Sequence, residues 1–187
     1  TPSEVEYFVG NAEPRLVVCD DASQDALLPV AQKAGAHLLT LNGDGRGSLT
    51  EEAANKADRF DTVARTGDDL AAILYTSGTT GRSKGAMLTH RNLLSNAKSL
   101  VEAWRFTADD VLLHALPIFH VHGLFVAMHC AFLSGAPMVW LPRFDDAQAM
   151  AGLARSTVMM GVPTFYTRLL ANPAFTREAA QHMRLFI

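Results

Sequence analysis

The chain has 187 residues, 49% of them hydrophobic and 19% charged, with a formal net charge of −3. These proportions fit a folded globular chain and exclude disordered, collagen-like and membrane-embedded classes. The slight negative charge, with no basic run, argues against nucleic acid or a membrane surface as partner, and no apolar run approaches the roughly 18 residues of a membrane span.

Taken from the start, Ser3 to Val9 reads as a helix without an initiator methionine, and the last residues, Met183 to Ile187, stop inside a strand-like apolar run. Both ends lead us to expect a truncated chain. Apolar runs of strand length recur at Leu16 to Cys19, His37 to Leu41, Ala71 to Tyr75, Val111 to Ala115, Met138 to Leu141, Thr157 to Met160 and Leu185 to Ile187. They rarely alternate in polarity, as suits parallel strands covered on both sides, and amphipathic segments lie between most of them. The expected class is α/β, with layered, mostly parallel sheets flanked by helices. Ser48 and Glu51 form a capping-box pattern for a short helix, and Thr89 can cap a longer one with Leu93, Ala97, Leu100, Val101 and Trp104 on one stripe. Pro163 suits the first position of a helix carrying Phe165, Tyr166, Leu169 and Leu170. The loop candidates are 42–48 and 59–69. Cys19 and Cys130 lie in apolar surroundings without CxxC spacing, so neither a disulfide framework nor a zinc knuckle is expected, and a reducing cytoplasm fits.

The chemistry is densest after the third of these runs. Ile73-Leu74-Tyr75 leads into Thr76-Ser77-Gly78-Thr79-Thr80-Gly81-Arg82-Ser83-Lys84-Gly85, ten residues of Gly, Ser and Thr plus two cations. Glycines let backbone N–H groups approach phosphate oxygens, hydroxyls add donors, and a lysine supplies a mobile positive charge. A flexible surface turn would need only two or three such residues. The spacing departs from Walker A, in which the lysine follows a glycine and precedes Ser or Thr, and no G-x-G-x-x-G fingerprint marks a strand end.

This loop resembles that of the AMP-binding, or adenylate-forming, superfamily, which includes acyl-CoA synthetases, luciferases and peptide-synthetase adenylation domains. The resemblance implies that Thr76, Ser77, Gly78, Thr79, Thr80, Gly81 and Lys84 hold the β- and γ-phosphates of ATP, with Thr76 also meeting Mg²⁺. It assigns Lys84 a catalytic role in neutralising departing pyrophosphate.

Two further segments bear on the second substrate. Leu116-Pro117-Ile118-Phe119-His120-Val121-His122-Gly123-Leu124 follows a strand and opens an apolar helix. Taken alone, His120 and His122 with His114 and His129 could suggest zinc, but they fall partly on different elements and lack an acidic second shell. The segment resembles the family's aromatic-histidine motif, which implies that His120 lies near the substrate carboxylate and that Phe119 forms a wall. Met159 to Leu170 reads as a strand, a tight entry and a helix. From periodicity alone Arg168 could equally be a surface arginine on the outer helix face. A dicarboxylate, though, leaves one carboxylate in need of a cation, which a fatty-acid pocket does not.

The runs GVPTFYTRLL and LPIFHVHGLF are similar to malonyl-CoA synthetases in particular. That similarity implies substrate contacts at His120, Gly161 and Arg168, with malonate or methylmalonate as the acid and CoA as co-substrate. It also implies that residues 1–187 are a partial N-terminal AMP-binding domain of the acyl-CoA synthetase fold. The family's adenine-binding residues, Tyr-Gly-x-Thr-Glu segment, ribose-binding aspartate and C-terminal lid with its lysine are not in this sequence, so the chain is expected to be inactive alone. A synthetase for another short acid and a non-catalytic nucleotide-binding module are the alternatives. Oligomeric state is not legible.

Overall fold

The computed structural model describes residues 2–76 and 83–187, and they fall into two units, Thr1–Arg65 with Tyr75–Ala86, and Thr66–Leu74 with Met87–Ile187. In the first unit, α1 (Pro2–Ala12) precedes β1 (Leu16–Cys19), α2 (Gln24–Lys33), β2 (His37–Thr40) and α3 (Ser48–Ala54). The strands β1 and β2 pair in parallel, Leu16 opposite His37 and Cys19 opposite Thr40, with α2 as the crossover. A 3₁₀ turn over Asp21–Ser23 starts that crossover, where the Asp20 carboxylate accepts from the backbone N–H of Ser23 at 2.8 Å.

The expected cap of α3 takes a different form. Ser48 is inside the helix, Gly47 occupies the cap position, and the Ser48 hydroxyl accepts from the backbone N–H of Thr40 at 2.9 Å. The Ser48 N–H in turn donates to the Thr40 hydroxyl at 3.1 Å, so a strand end has captured the side chain that a helix start would otherwise use. Gly47 has φ +143°, and a Cβ there would stand 2.3 Å from the Thr40 carbonyl oxygen. Only glycine fits that approach.

β3 (Leu70–Thr76) and β4 (Lys84–Thr89) form a separate two-stranded sheet. In the second unit, α4 (His90–Trp104) begins at the expected Thr89, whose hydroxyl accepts from the Asn92 N–H while the Asn92 side chain accepts from the Thr89 N–H, a reciprocal box. A four-stranded, wholly parallel sheet follows in the order β6-β5-β7-β8, from β5 (Leu112–His114), β6 (Met138–Trp140), β7 (Val158–Met160) and β8 (Leu185–Phe186).

The continuous apolar runs predicted strands covered on both faces, and β5 and β7 are buried at every residue. Alternate residues supply the two cores. Leu112, Val158 and Met160 pack with Phe106, Ala127, Cys130 and Ala131 on one face. Leu113 and Met159 pack with Leu141, Phe144, Ala149, Leu153 and Leu169 on the other. The first face is covered by a π-helical segment, His122–Ala127, running into α5 (Met128–Ser134). The second is covered by α6 (Asp146–Leu153) and α7 (Pro163–Ala171). Each fully buried leucine contributes about 1.5–3 kcal/mol relative to an exposed one. Cys19 and Cys130 are both free, and no helix among the described residues is long and apolar enough to cross a membrane.

Candidate active site

The sheet order carries the first functional information. From β5 the chain crosses over one face to β6, then returns over the opposite face past β5 to β7, and continues outward to β8. The direction of winding reverses between β5 and β7, and in open parallel sheets ligands bind at the carboxyl ends of the strands flanking such a reversal. His114 pairs with Met160 as the last residues of β5 and β7. The segments that leave this point, 115–121 and 161–162, carry His120 and Gly161. Two candidates far apart in sequence thus belong to neighbouring strand ends.

The path to His120 is shaped by backbone contacts. Its N–H donates to the Pro117 carbonyl at 3.3 Å, and its own carbonyl accepts from the Leu124 N–H at 3.0 Å, so the residue closes a turn and opens the following helix. Its exposed ring lies beside that of Phe119, centroids 4.7 Å apart. Phe119 itself is 81% exposed. Gly123 makes the turn possible, since a Cβ there would lie 2.4 Å from the Pro117 oxygen and 3.2 Å from the Leu116 oxygen. The π-helical turns begin beside it, and such segments concentrate where local geometry is set by function rather than by helix stability.

His114 is only 1% exposed, and neither ring nitrogen has a hydrogen-bond partner among the described residues. It packs against Trp140, centroids 4.6 Å apart. Burial, reinforced by the neighbouring His122, pushes its pKa down to about 4, and burial also lowers those of His122 and His129. These imidazoles are therefore neutral near pH 7. Among the described residues no three His, Cys, Asp or Glu side chains are grouped as a metal site.

At the end of β7, the buried Gly161 donates its N–H to the Ile187 carbonyl at 2.9 Å. A Cβ at 161 would press on the Tyr166 ring at 3.0 Å. The Tyr166 hydroxyl donates to the Ile187 carbonyl as well, fastening the start of α7 to the end of β8. Pro163 opens α7, as the sequence suggested. Arg168 lies on the second turn, half exposed, with Nη2 2.7 Å from Asp146 Oδ2 and its guanidinium carbon 4.8 Å from the centre of the Phe144 ring.

The phosphate-loop candidates divide differently. Thr76 ends β3 and Lys84 begins β4, both exposed, and the Thr76 hydroxyl is 3.5 Å from the Lys84 carbonyl oxygen. Lys84 was expected in a loop but is the first residue of a strand. Ser77, Gly78, Thr79, Thr80 and Gly81 lie outside the described residues. Thr76 and Lys84 belong to the first unit, and His120, Gly161 and Arg168 to the second.

Sequence reasoning missed the residues that hold both ends of this loop. The Tyr7 hydroxyl on α1 donates to the Ser83 carbonyl at 2.8 Å, and the Tyr75 hydroxyl meets the Asn11 side-chain oxygen at 2.6 Å. Phe8 packs on Tyr75, centroids 4.6 Å apart. The available signal was the Tyr7-Phe8 pair, the two aromatic residues of that helix.

Comparison with known proteins identifies the arrangement. A family model described as AMP-binding enzyme matches residues 1–187. The mitochondrial malonate–CoA ligase ACSF3 of Mus musculus is 39% identical over 175 residues, 90% of this chain and 29% of that protein. The crystal structure of ATP-bound MatB from Rhodopseudomonas palustris has a TM-score of 0.95 at 57% identity, covering 100% of this chain and 37% of the other. A malonyl-CoA ligase in a ternary product complex with methylmalonyl-CoA and AMP has a TM-score of 0.75 at 29% identity, over 98% of this chain and 37% of the other. The chain spans about a third of the length of these relatives. Its α/β fold, its strand-end segments and its match along the whole length agree, and the chain belongs to the AMP-binding enzyme family.

Proposed function

We propose that the whole protein is an ATP-dependent malonate–CoA ligase that also accepts methylmalonate, and that this chain is part of its N-terminal AMP-binding domain. The observation that carries the reading is the 39% identity to the malonate–CoA ligase ACSF3 over 90% of the chain, supported by the 57% identity to ATP-bound MatB along the full chain. In the first step a malonate oxygen attacks the α-phosphorus of ATP, giving malonyl-AMP and pyrophosphate. In the second the CoA thiol attacks the acyl carbon and AMP leaves.

The residue roles follow from what each step demands. Negative charge accumulates on the departing pyrophosphate, so Lys84 acts by neutralising it, while Thr76, Ser77, Gly78, Thr79, Thr80 and Gly81 supply hydroxyl and backbone donors. The Thr76 hydroxyl is a hard oxygen suited to Mg²⁺, which mostly keeps water and phosphate oxygens around it; when bound, the ion offsets the phosphate charge. His120 faces the reacting carboxylate, and Gly161, whose missing side chain makes way for Tyr166, brings its backbone to the acid at the neighbouring strand end. Arg168 pairs with the carboxylate that does not react, selecting a dicarboxylic acid over a monocarboxylic one. The two free thiols suit a reducing compartment, and we place the protein in the cytoplasm. Carboxylate-dependent exchange of pyrophosphate into ATP, measured on the whole protein with a panel of acids, tests the proposal.

A further inference from the structure

Two arginine–aspartate pairs in the second unit are built differently. Arg184 meets Asp110 with two nitrogens at 2.7 Å each, and both Asp110 oxygens take further donors from Thr157 and Thr107. Arg168 meets Asp146 through Nη2 alone, at 2.7 Å. The other Asp146 oxygen, Oδ1, is buried with no hydrogen-bond partner among the described residues. The side chains of the second pair are 49% and 41% exposed, and the pair borders an open cavity of about 330 Å³ shared with Ala171 and Asn172.

A guanidinium has five N–H donors arranged to grip a carboxylate with two parallel bonds. The first pair satisfies that geometry and the second does not. Arg168 would gain by exchanging a singly bonded, poorly satisfied carboxylate for one that meets it with both oxygens.

We infer that Asp146 is an internal competitor for Arg168, a specificity-determining carboxylate that neutralises the arginine until the free carboxylate of a dicarboxylic substrate displaces it. The inference rests on the reading of Arg168 as the dicarboxylate contact. It has a definite direction. A monocarboxylic acid leaves the Arg168–Asp146 pair intact and strands no unpaired cation, whereas a dicarboxylic acid must break the pair. Asp146 therefore narrows the preference for dicarboxylic acids that Arg168 alone would give. For a half-exposed pair the effect is about threefold in relative KM.

The test measures KM and kcat for malonate and propionate by pyrophosphate exchange, using the whole protein and its Asp146→Asn, Asp146→Ala and Arg168→Ala variants. Asp146→Asn keeps an acceptor for Nη2 and removes the charge, so the malonate-to-propionate KM ratio should fall about threefold, through KM for malonate rather than kcat. Asp146→Ala removes the same charge and must move the ratio in the same direction. If Arg168→Ala raises the malonate KM but neither Asp146 variant lowers the ratio, the competitor role is overturned and the arginine assignment stands. If Arg168→Ala leaves the malonate KM unchanged, the arginine assignment fails and this inference with it.

Discussion

Arg184 grips Asp110 with both Nε and Nη2, each 2.7 Å from a carboxylate oxygen, at the end of the sheet opposite the strand ends that carry His120 and Gly161. Asp110 precedes β5, Arg184 precedes β8, and Thr157, whose hydroxyl donates to the same carboxylate at 2.8 Å, precedes β7. Arg184 also donates to the carbonyls of Trp104 and Arg105 at the end of α4. One ion pair thus ties three strand starts to a helix end.

Because the Asp110 side chain is only 4% exposed, removing Arg184 leaves a buried charge without its partner. Arg184→Ala should cost about 3 kcal/mol, measured by denaturant unfolding of this chain if it folds alone, or otherwise of the whole protein. The Arg184 hydrogen bond holds the Asp110 carboxyl below the usual carboxylate range despite its burial. Its folded pKa is depressed, so the stabilisation is fully present above the unfolded value near pH 4 and is lost as pH falls through the folded one. Asp110→Asn should flatten acid unfolding below about pH 4; an unchanged profile would contradict this account of the pair.

His114 gives a different pH window. Its pKa falls from 6.5 to about 4 on folding, so between those values the unfolded chain binds the extra proton. Stability should decline as the pH drops from 6.5 towards 4, by about 3 kcal/mol at most from this residue. His114→Leu should remove that slope. At pH 7 the variant should be at least as stable as the parent, because an apolar side chain replaces two unpartnered ring nitrogens. Thermal unfolding from pH 4 to pH 7 checks both points.

At Gly123 the missing side chain is what the tight 117–120 turn requires. Gly123→Ala would push a methyl group to 2.4 Å from the Pro117 oxygen, so the 117–120 turn must move. The expected stability loss is about 1–3 kcal/mol. Adenylation should slow about tenfold or more because His120 is displaced. Steady-state kinetics together with unfolding midpoints separate the two effects, and normal kinetics would show that the turn does not position His120.

Much of the fold was legible because the strand runs are short, apolar and regularly spaced. β1 ran over Leu16 to Cys19 as expected, and Thr89 capped α4. β4 was missed because Lys84 and Gly85 belong by composition to the phosphate loop, and strand pairing overrides that local signal. The cap expected at Ser48 does not form, because a tertiary bond to Thr40 outcompetes the local one. His120 and Gly161 were legible as motif residues, but their neighbouring strand ends depend on strand order, which periodicity does not encode. The Asp146 contact to Arg168 spans 22 positions and two helices, and no local pattern announces it.

Lys84 offers a direct probe of the phosphate chemistry. Lys84→Ala removes the charge proposed to neutralise developing pyrophosphate, so on that proposal adenylation by the whole protein should slow about a hundredfold. The conservative Lys84→Arg should recover part of that loss. An exchange rate unchanged by both substitutions would remove Lys84 from the reaction.

The most direct measurement of the central claim is malonate-dependent exchange of labelled pyrophosphate into ATP by the whole protein, followed across malonate, methylmalonate, acetate, propionate and a long-chain acid. The account predicts exchange fastest with malonate, with methylmalonate next, and a malonate KM that rises in the Arg168→Ala variant. Exchange that is absent with every acid, or that favours a monocarboxylic acid irrespective of Arg168, would contradict it.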